Sequence, residues 1–107
     1  MTGVHRFMAA RPAIEFVEIR QAYAGDGGPR AASYYVFLVA GKEVAVEVTK
    51  SAVMTREGDL PEEKTKVAAQ TFLETELERV GHLAENLVLD EPAMVTVFNR
   101  LGWPSRF

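Results

Sequence analysis

The fold is decided by the stretch YYVFLVAGKEVAVEVTK, Tyr34–Lys50, in which two runs rich in β-branched and aromatic residues flank a glycine. Such runs are typical of strands, and the glycine between them is typical of a tight hairpin turn, because glycine adopts a positive φ without strain. We therefore expect strands over Tyr34–Ala40 and Glu43–Lys50, joined by Gly41-Lys42 as a two-residue turn.

A two-residue turn aligns the alternating apolar residues of both runs on one face of the hairpin. These residues are Tyr35, Phe37, Val39, Val44, Val46 and Val48. A three-residue loop would instead place Glu47 beside Phe37, so the continuous apolar face favours the shorter turn.

The first run is also apolar on its opposite face, through Tyr34, Val36 and Leu38. A strand that is apolar on both faces is usually central, with something covering part of its second face. A contiguous exposed apolar patch is unusual on a monomer. We therefore predict that these three residues form an interface, most simply in a two-fold homodimer, because that is the commonest symmetric assembly. The alternative cover is the C-terminal segment of the same chain.

The residues before the hairpin predict another strand, with a helix as the alternative because Ala13–Ala24 contains no glycine or proline. Ile14–Tyr23 shows period two and β-branched residues, with Val17 and Ile19 on one face and Phe16 on the other. The following Ala24–Ala32 contains three glycines and a proline, which indicates a loop.

The clearest predicted helix is Asp59–Val80. Asp59 is placed to cap it, Glu62 completes a capping-box spacing, and Leu73 and Leu77 lie on its apolar stripe. The pattern allows two alternative C-termini for this helix, one at Gly81 and one near Leu87.

The segment Asp90–Leu101 predicts a short helix, with Asp90 as its cap and Gly102 just beyond its end. The β-branched run Val95–Val97 leaves a strand as the alternative. Together these elements predict a single α+β domain over residues 1–107. In it an antiparallel sheet of three to four strands packs on one long helix, followed by a short C-terminal helix.

Composition excludes several classes of protein. The chain has 107 residues, of which 48% are hydrophobic and 25% charged, which is the balance of a globular domain and not of a disordered chain. The longest unbroken apolar run, Tyr34–Ala40, is too short to span a bilayer. The formal net charge of −3 disfavours nucleic-acid binding. The absence of cysteine excludes disulfides, thiolate metal sites and thiol nucleophiles, and we expect a cytoplasmic protein.

Three groups of residues are candidates for a binding or catalytic site, and each has a simpler structural explanation. The glycines of Gly25–Gly28 lack the following helix that a phosphate cradle needs. His82 lacks a metal-ligand spacing. The carboxylates of Glu57–Glu63 suit the start of a helix. We therefore predict no catalytic residues, no cofactor and no metal ligands.

The order strand, tight turn, strand and acidic helix over Tyr35–Glu78 resembles HicB-type antitoxins, with Gly58-Asp59 shortly before Glu62-Glu63. The family's proline-glycine-cysteine turn is absent, and no basic segment follows the helix. The resemblance implies a strand–strand–helix core that binds and blocks a toxin ribonuclease.

The surplus of apolar surface predicts a small non-enzymatic protein-binding domain that self-associates, and leaves another protein as a possible partner. Two alternatives remain open. One is a HicB-like antitoxin that binds a toxin through its acidic helix. The other is a small-ligand-binding or enzymatic α+β domain with a pocket between helix and sheet.

Overall fold

The computed structural model describes residues 13–23, 30–83 and 86–104. In chain order they form strands β1 (Ile14–Tyr23), β2 (Arg30–Val39) and β3 (Lys42–Thr49), helix α1 (Lys50–Val53), strands β4 (Met54–Thr55) and β5 (Gly58–Asp59), helix α2 (Glu62–Val80), strand β6 (Leu87–Leu89) and helix α3 (Glu91–Leu101). The predicted α+β class, the long helix and the C-terminal helix are confirmed.

The hairpin between β2 and β3 has the predicted loop length but not the predicted loop residues. Val39 pairs with Lys42, so the turn is Ala40-Gly41 and not Gly41-Lys42. Ala40 has φ 51° and Gly41 has φ 83°, and positive φ at both positions is the requirement of a type I′ turn. The register therefore differs from the predicted one by two residues. Because side chains alternate with period two, the predicted faces are unchanged.

The sheet is mixed, so the prediction of an antiparallel sheet is wrong in part. Its strand order is β1-β2-β3-β6. The first three strands pair antiparallel, whereas β6 pairs parallel to β3. The cause is the long connection after β3, since α2 returns the chain to the end of the sheet from which β3 started and β6 then runs in the same direction.

The strand β1 has the predicted bounds, but a bulge changes which of its residues face the core. The register with β2 shifts between Phe16 and Glu18, so the strict alternation breaks at Val17. Phe16 consequently packs against the core with Ile19, while Val17 is exposed.

Helix α2 begins three residues later than predicted, at Glu62, and Asp59 does not cap it. Asp59 lies in β5, and its carboxylate accepts a hydrogen bond from Lys50 Nζ at 2.7 Å. The residue before the helix is Pro61, which makes no side-chain capping bond. The helix ends as one of the two alternatives predicted, since Gly81 adopts φ 80° and donates its N–H to the Leu77 carbonyl.

The segment Asp90–Leu101, for which the sequence allowed a helix or a strand, forms the helix α3. The Asp90 side chain accepts a hydrogen bond from the Ala93 N–H at 3.1 Å, and Gly102 closes the C-terminus with φ 71°. The predicted stripe is buried through Met94, Val97 and Phe98. The capping residues at both ends of this helix outweigh the strand preference of the β-branched run in its middle.

The three described helices all contribute to one hydrophobic cluster on a single face of the sheet. The strands contribute the alternate residues predicted for that face, and α2 contributes Ala68, Ala69 and Leu73, each 0% exposed. Leu77 is only half-buried and Val80 is exposed, so the centre of the helix stripe lies nearer the N-terminus than its sequence pattern indicates.

The turn offers a direct test of the register. Replacing Ala40 with Asn should raise the free energy of unfolding by about 0.5–1 kcal/mol, because Asn tolerates positive φ and Asn-Gly is the preferred type I′ pair. Urea denaturation measures the change. The matched variant Ala40→Val should lower stability, since a β-branched side chain disfavours this conformation. Equal stability of both variants would contradict the observed turn.

The centre of the helix stripe has its own test. Replacing Leu73 with Ala should lower the free energy of unfolding by about 2–5 kcal/mol, because it leaves a cavity in a fully buried site. On the same helix, Val67 is 44% exposed. Val67→Ala should therefore change stability by no more than about 0.5 kcal/mol in the same urea titration. Similar losses in the two variants would mean that α2 packs through another face.

Candidate functional site

The face of the sheet opposite the helices is the main candidate surface, here called the open face. Its apolar side chains come from three neighbouring strands and form a band across the sheet. They are Tyr34, Val36 and Leu38 of β2, Ala45 of β3 and Val88 of β6. None of them belongs to the hydrophobic cluster under the helices. Within residues 13–23, 30–83 and 86–104, no helix contributes a core residue on this side.

The three predicted interface residues do lie together on the open face, but they are not equally accessible. Val36 is 0% exposed, whereas Tyr34 and Leu38 are half-buried. Val88 is 40% exposed although both of its neighbours in β6 are buried, which places its side chain outward on the same face. Val88 is therefore a member of the open face that sequence reasoning did not identify.

A charged clamp runs across the sheet beside Val36, over which no described helix lies. Arg20 of β1 donates from Nε to Glu18 Oε2 at 2.6 Å. Its Nη1 and Nη2 donate to the two carboxylate oxygens of Glu43 in β3, at 3.3 and 3.2 Å. These three residues are here called the Arg20 clamp.

The strand register shows where the Arg20 clamp runs. Arg20 lies opposite Tyr34, and Glu43 lies opposite Leu38. The contact between Arg20 and Glu43 therefore crosses β2 midway between Tyr34 and Leu38, at Val36. The aliphatic part of the arginine side chain can cover apolar surface while its charged end remains in water. The register thus brings the clamp diagonally past Val36, whose cross-strand neighbours on this face are Glu18 and Ala45.

Electrostatics reinforce the clamp. Side-chain hydrogen bonds to Glu43, and secondarily to Glu18, raise the pKa of Arg20 above its ordinary value. The guanidinium is therefore charged at every accessible pH, and its two-pronged contact with Glu43 has the geometry that favours arginine over lysine.

The described part of the open face is acidic. Among the side chains that the structure describes, the strand register places on it four carboxylates, those of Glu15, Glu18, Glu43 and Glu47, and the guanidinium of Arg20. Any molecule that binds here meets an apolar band with a negative rim.

Helix α2 differs from the open face because several of its carboxylates form ion pairs with bases of the same chain. Glu63 pairs with Lys66, Glu76 with Arg79, and Glu78 with Arg100 of α3. The acidic helix that the sequence suggested as a toxin-binding surface is thus partly neutralised by bases of the same chain.

A cleft of about 180 Å³ lies on the other side of the sheet, where α1 and the segment leading into α2 meet the first three strands. Its lining includes the buried ring of Tyr35 and, at its mouth, the ion pair between Lys50 and Asp59. Adjacent tyrosines therefore serve opposite faces, with Tyr34 on the open face and Tyr35 in the cleft.

Two groups of residues weighed in the sequence analysis remain. His82 is exposed just after α2, and the Gly25–Gly28 loop lies outside the described residues. Near the end of the described chain, Trp103 packs against Phe98 with 5.1 Å between the ring centroids. In the part of the chain that the structure describes, no group of three or more His, Cys, Asp or Glu residues could hold a metal ion.

Comparison of the chain with protein-family models, with curated proteins and with solved structures finds no match. Among the helices described, none is long and apolar enough to cross a membrane.

The clamp predicts an unusual cost for a substitution on an open sheet face. Replacing Val36 with Ala should lower the free energy of unfolding by about 2 kcal/mol, because it removes two buried carbons and leaves a void under the arginine. The matched change Val88→Ala, on the same face, should lower it by less than about 1 kcal/mol. Thermal and urea denaturation measure both, and an unchanged stability of Val36→Ala would refute the buried position.

Proposed function

We propose that this chain is a non-enzymatic protein-binding domain that self-associates through the open face of its sheet. The observation that carries the proposal is the apolar band on that face. It includes the exposed Val88 and the half-buried Tyr34 and Leu38, and no described helix covers it. Burial of such a band is favourable in proportion to the apolar area removed from water.

A second copy of the chain is the partner to which the proposal commits. A two-fold axis through a sheet face brings the same band onto itself, so apolar side chains meet apolar side chains without a second complementary surface. Four strands spaced about 4.8 Å apart and about eight residues long give a contact of roughly 500 Å² per copy. That is less than the roughly 800 Å² of a standard stable interface, so we expect a weak, micromolar dimer.

The negative rim gives this dimer a distinctive salt dependence. Two copies bring like charges together, because the described side chains of each open face include four carboxylates and one guanidinium. Salt screens that repulsion over about 8–10 Å near physiological ionic strength, so added salt should strengthen self-association. A different protein with a basic surface would show the opposite dependence, since salt weakens attraction between opposite charges.

The acidic helix of the antitoxin-like alternative is a weaker choice of binding surface. Three of its carboxylates already pair with bases of this chain, as described above, so less of its charge is available to a basic toxin. The open face offers both apolar surface and carboxylates.

Sedimentation equilibrium at micromolar concentrations tests the proposal. The unaltered chain should form a dimer whose dissociation constant falls as salt is raised. Val88→Glu should give a folded monomer, because it adds a carboxylate to an apolar band whose rim is already negative, without touching the core. Circular dichroism confirms that the fold is retained.

The matched control is Val95→Glu. Val95 is 39% exposed, close to the 40% of Val88, but it lies on α3. This variant should dimerise as the unaltered chain does. A monomeric unaltered chain, or equal effects of the two glutamate variants, would overturn self-association through the open face.

A further inference from the structure

The segment that precedes β1, residues 1–12, lies outside the described residues, and its sequence is MTGVHRFMAARP. It contains Arg6 and Arg11 and no acidic residue. Its larger apolar residues are Val4, Phe7 and Met8. A basic segment with apolar side chains is complementary, in charge and in polarity, to an apolar band with a negative rim.

The segment enters the sheet at a corner of the open face. The N–H of Ala40 donates to the Ala13 carbonyl at 3.1 Å, which places the start of β1 beside the turn between β2 and β3. Twelve extended residues reach about 40 Å. Three strand spacings across the sheet amount to only about 14 Å. The segment is therefore long enough to cross the open face from this corner.

Two carboxylates of the open face have no partner among the described residues. Glu18 and Glu43 already accept hydrogen bonds from Arg20. Glu15 and Glu47 form no ion pair within the described part of the chain. The two arginines of the segment thus match two unneutralised carboxylates in number.

The spacing of these two carboxylates also matches that of the arginines. The β2 partners of Glu15 and Glu47 are Leu38 and Tyr34, four positions apart. Four positions along the sheet and two strand spacings across it separate the carboxylate positions by about 16 Å. The arginines are five positions apart in the chain, which spans at most about 17 Å. One extended crossing of the face therefore brings each arginine to one carboxylate.

We propose that residues 1–12 dock on the open face of their own chain and compete there with the second copy. Arg11 pairs with Glu15, and Arg6 pairs with Glu47. The apolar residues between the two arginines cover the apolar band. Docking within one chain is favoured because a short tether holds the segment at an effective concentration in the millimolar range. The competition rests on the proposed self-association, whereas the docking does not.

The docking lowers the fraction of chains whose open face is free. An effective concentration of about 1 mM keeps a segment with an intrinsic dissociation constant of about 1 mM docked about half of the time. A dimer needs two free faces, so its apparent dissociation constant rises about fourfold. Salt weakens the attraction between segment and face, and it therefore acts in the same direction as the screening of repulsion between copies.

Disulfide trapping in the full chain tests the docking, because the chain has no cysteine of its own. The reporter chain carries His5→Cys and Val88→Cys, since His5 adjoins Arg6 and Val88 pairs with Glu47 in the strand register. The protein is kept well below the micromolar dissociation constant expected for the dimer, and oxidised glutathione is the oxidant. An intrachain disulfide should form, as detected by mass spectrometry, and added salt should slow its formation.

The control chain carries His5→Cys and Val95→Cys. Val95 is exposed almost as much as Val88 but lies on α3. The control disulfide should form about tenfold more slowly, because a docked segment cannot reach the helix side of the sheet.

Two double variants identify the charges that are responsible. Arg6→Gln with Arg11→Gln should slow trapping in the reporter chain about threefold, because two exposed ion pairs are lost. Arg6→Lys with Arg11→Lys keeps both charges and should leave the rate nearly unchanged. Without the added cysteines, the glutamine double variant should lower the dissociation constant of the dimer about threefold in sedimentation equilibrium. Loss of two positive charges from a chain of net charge −3 would by itself have the opposite effect, since it increases repulsion.

Each part of the proposal fails on a different result. Equal trapping in the reporter and control chains, or trapping that is insensitive to the glutamine double variant, would refute the docking. Disulfides between chains in place of intrachain ones would refute docking within one chain. Expected trapping with an unchanged dimer dissociation constant would refute the competition. Expected trapping in a chain that stays monomeric would support the docking and overturn the proposed self-association.

Discussion

The positive φ angles of Ala40 and Gly41 are the constraint on which the rest of the structure depends. A two-residue turn with both angles positive matches the right-handed twist of the two strands that it joins. It fixes which residues of β2 lie opposite which residues of β3. A slip of one residue would exchange the two faces of β3, bringing Glu43 and Glu47 under the helices and Val46 and Val48 into solvent.

Because this turn fixes which residues face each side of the sheet, the open face and the cleft lie on opposite sides. Tyr34 and Tyr35 are neighbours in the chain, yet one lies on the open face and the other in the cleft. The described helices lie on one side, because α2 and α3 pack against the same alternate residues of the strands. Among the described residues no helix lies on the other face, and the sequence of β2 places apolar residues there as well.

Features that depend on local pattern could be predicted from the sequence, and features that depend on distant partners could not. The hairpin faces and α3 follow from alternation and from end signals within a few residues. Strand β6 has three residues and pairs with a strand about forty positions earlier, so no local periodicity marks it. Asp59 matches a capping position, but its contact with Lys50 takes precedence. The burial of Val36 requires knowing that β1 lies beside β2 in a register that brings Arg20 within reach of Glu43.

The Arg20 clamp shapes what an interface on the open face can be. Removing a charged pair from water is unfavourable unless its hydrogen bonds survive, so a partner gains most by leaving the guanidinium with Glu18 and Glu43. The apolar contact then falls around the clamp, on Tyr34, Leu38 and Val88, and not on Val36. Charged side chains pointing across a sheet also limit indiscriminate association of exposed sheet surface. Arg20 thus restricts the open face to partners whose shape accommodates a charged side chain projecting from the centre of that face. Binding there depends on shape as much as on apolar area.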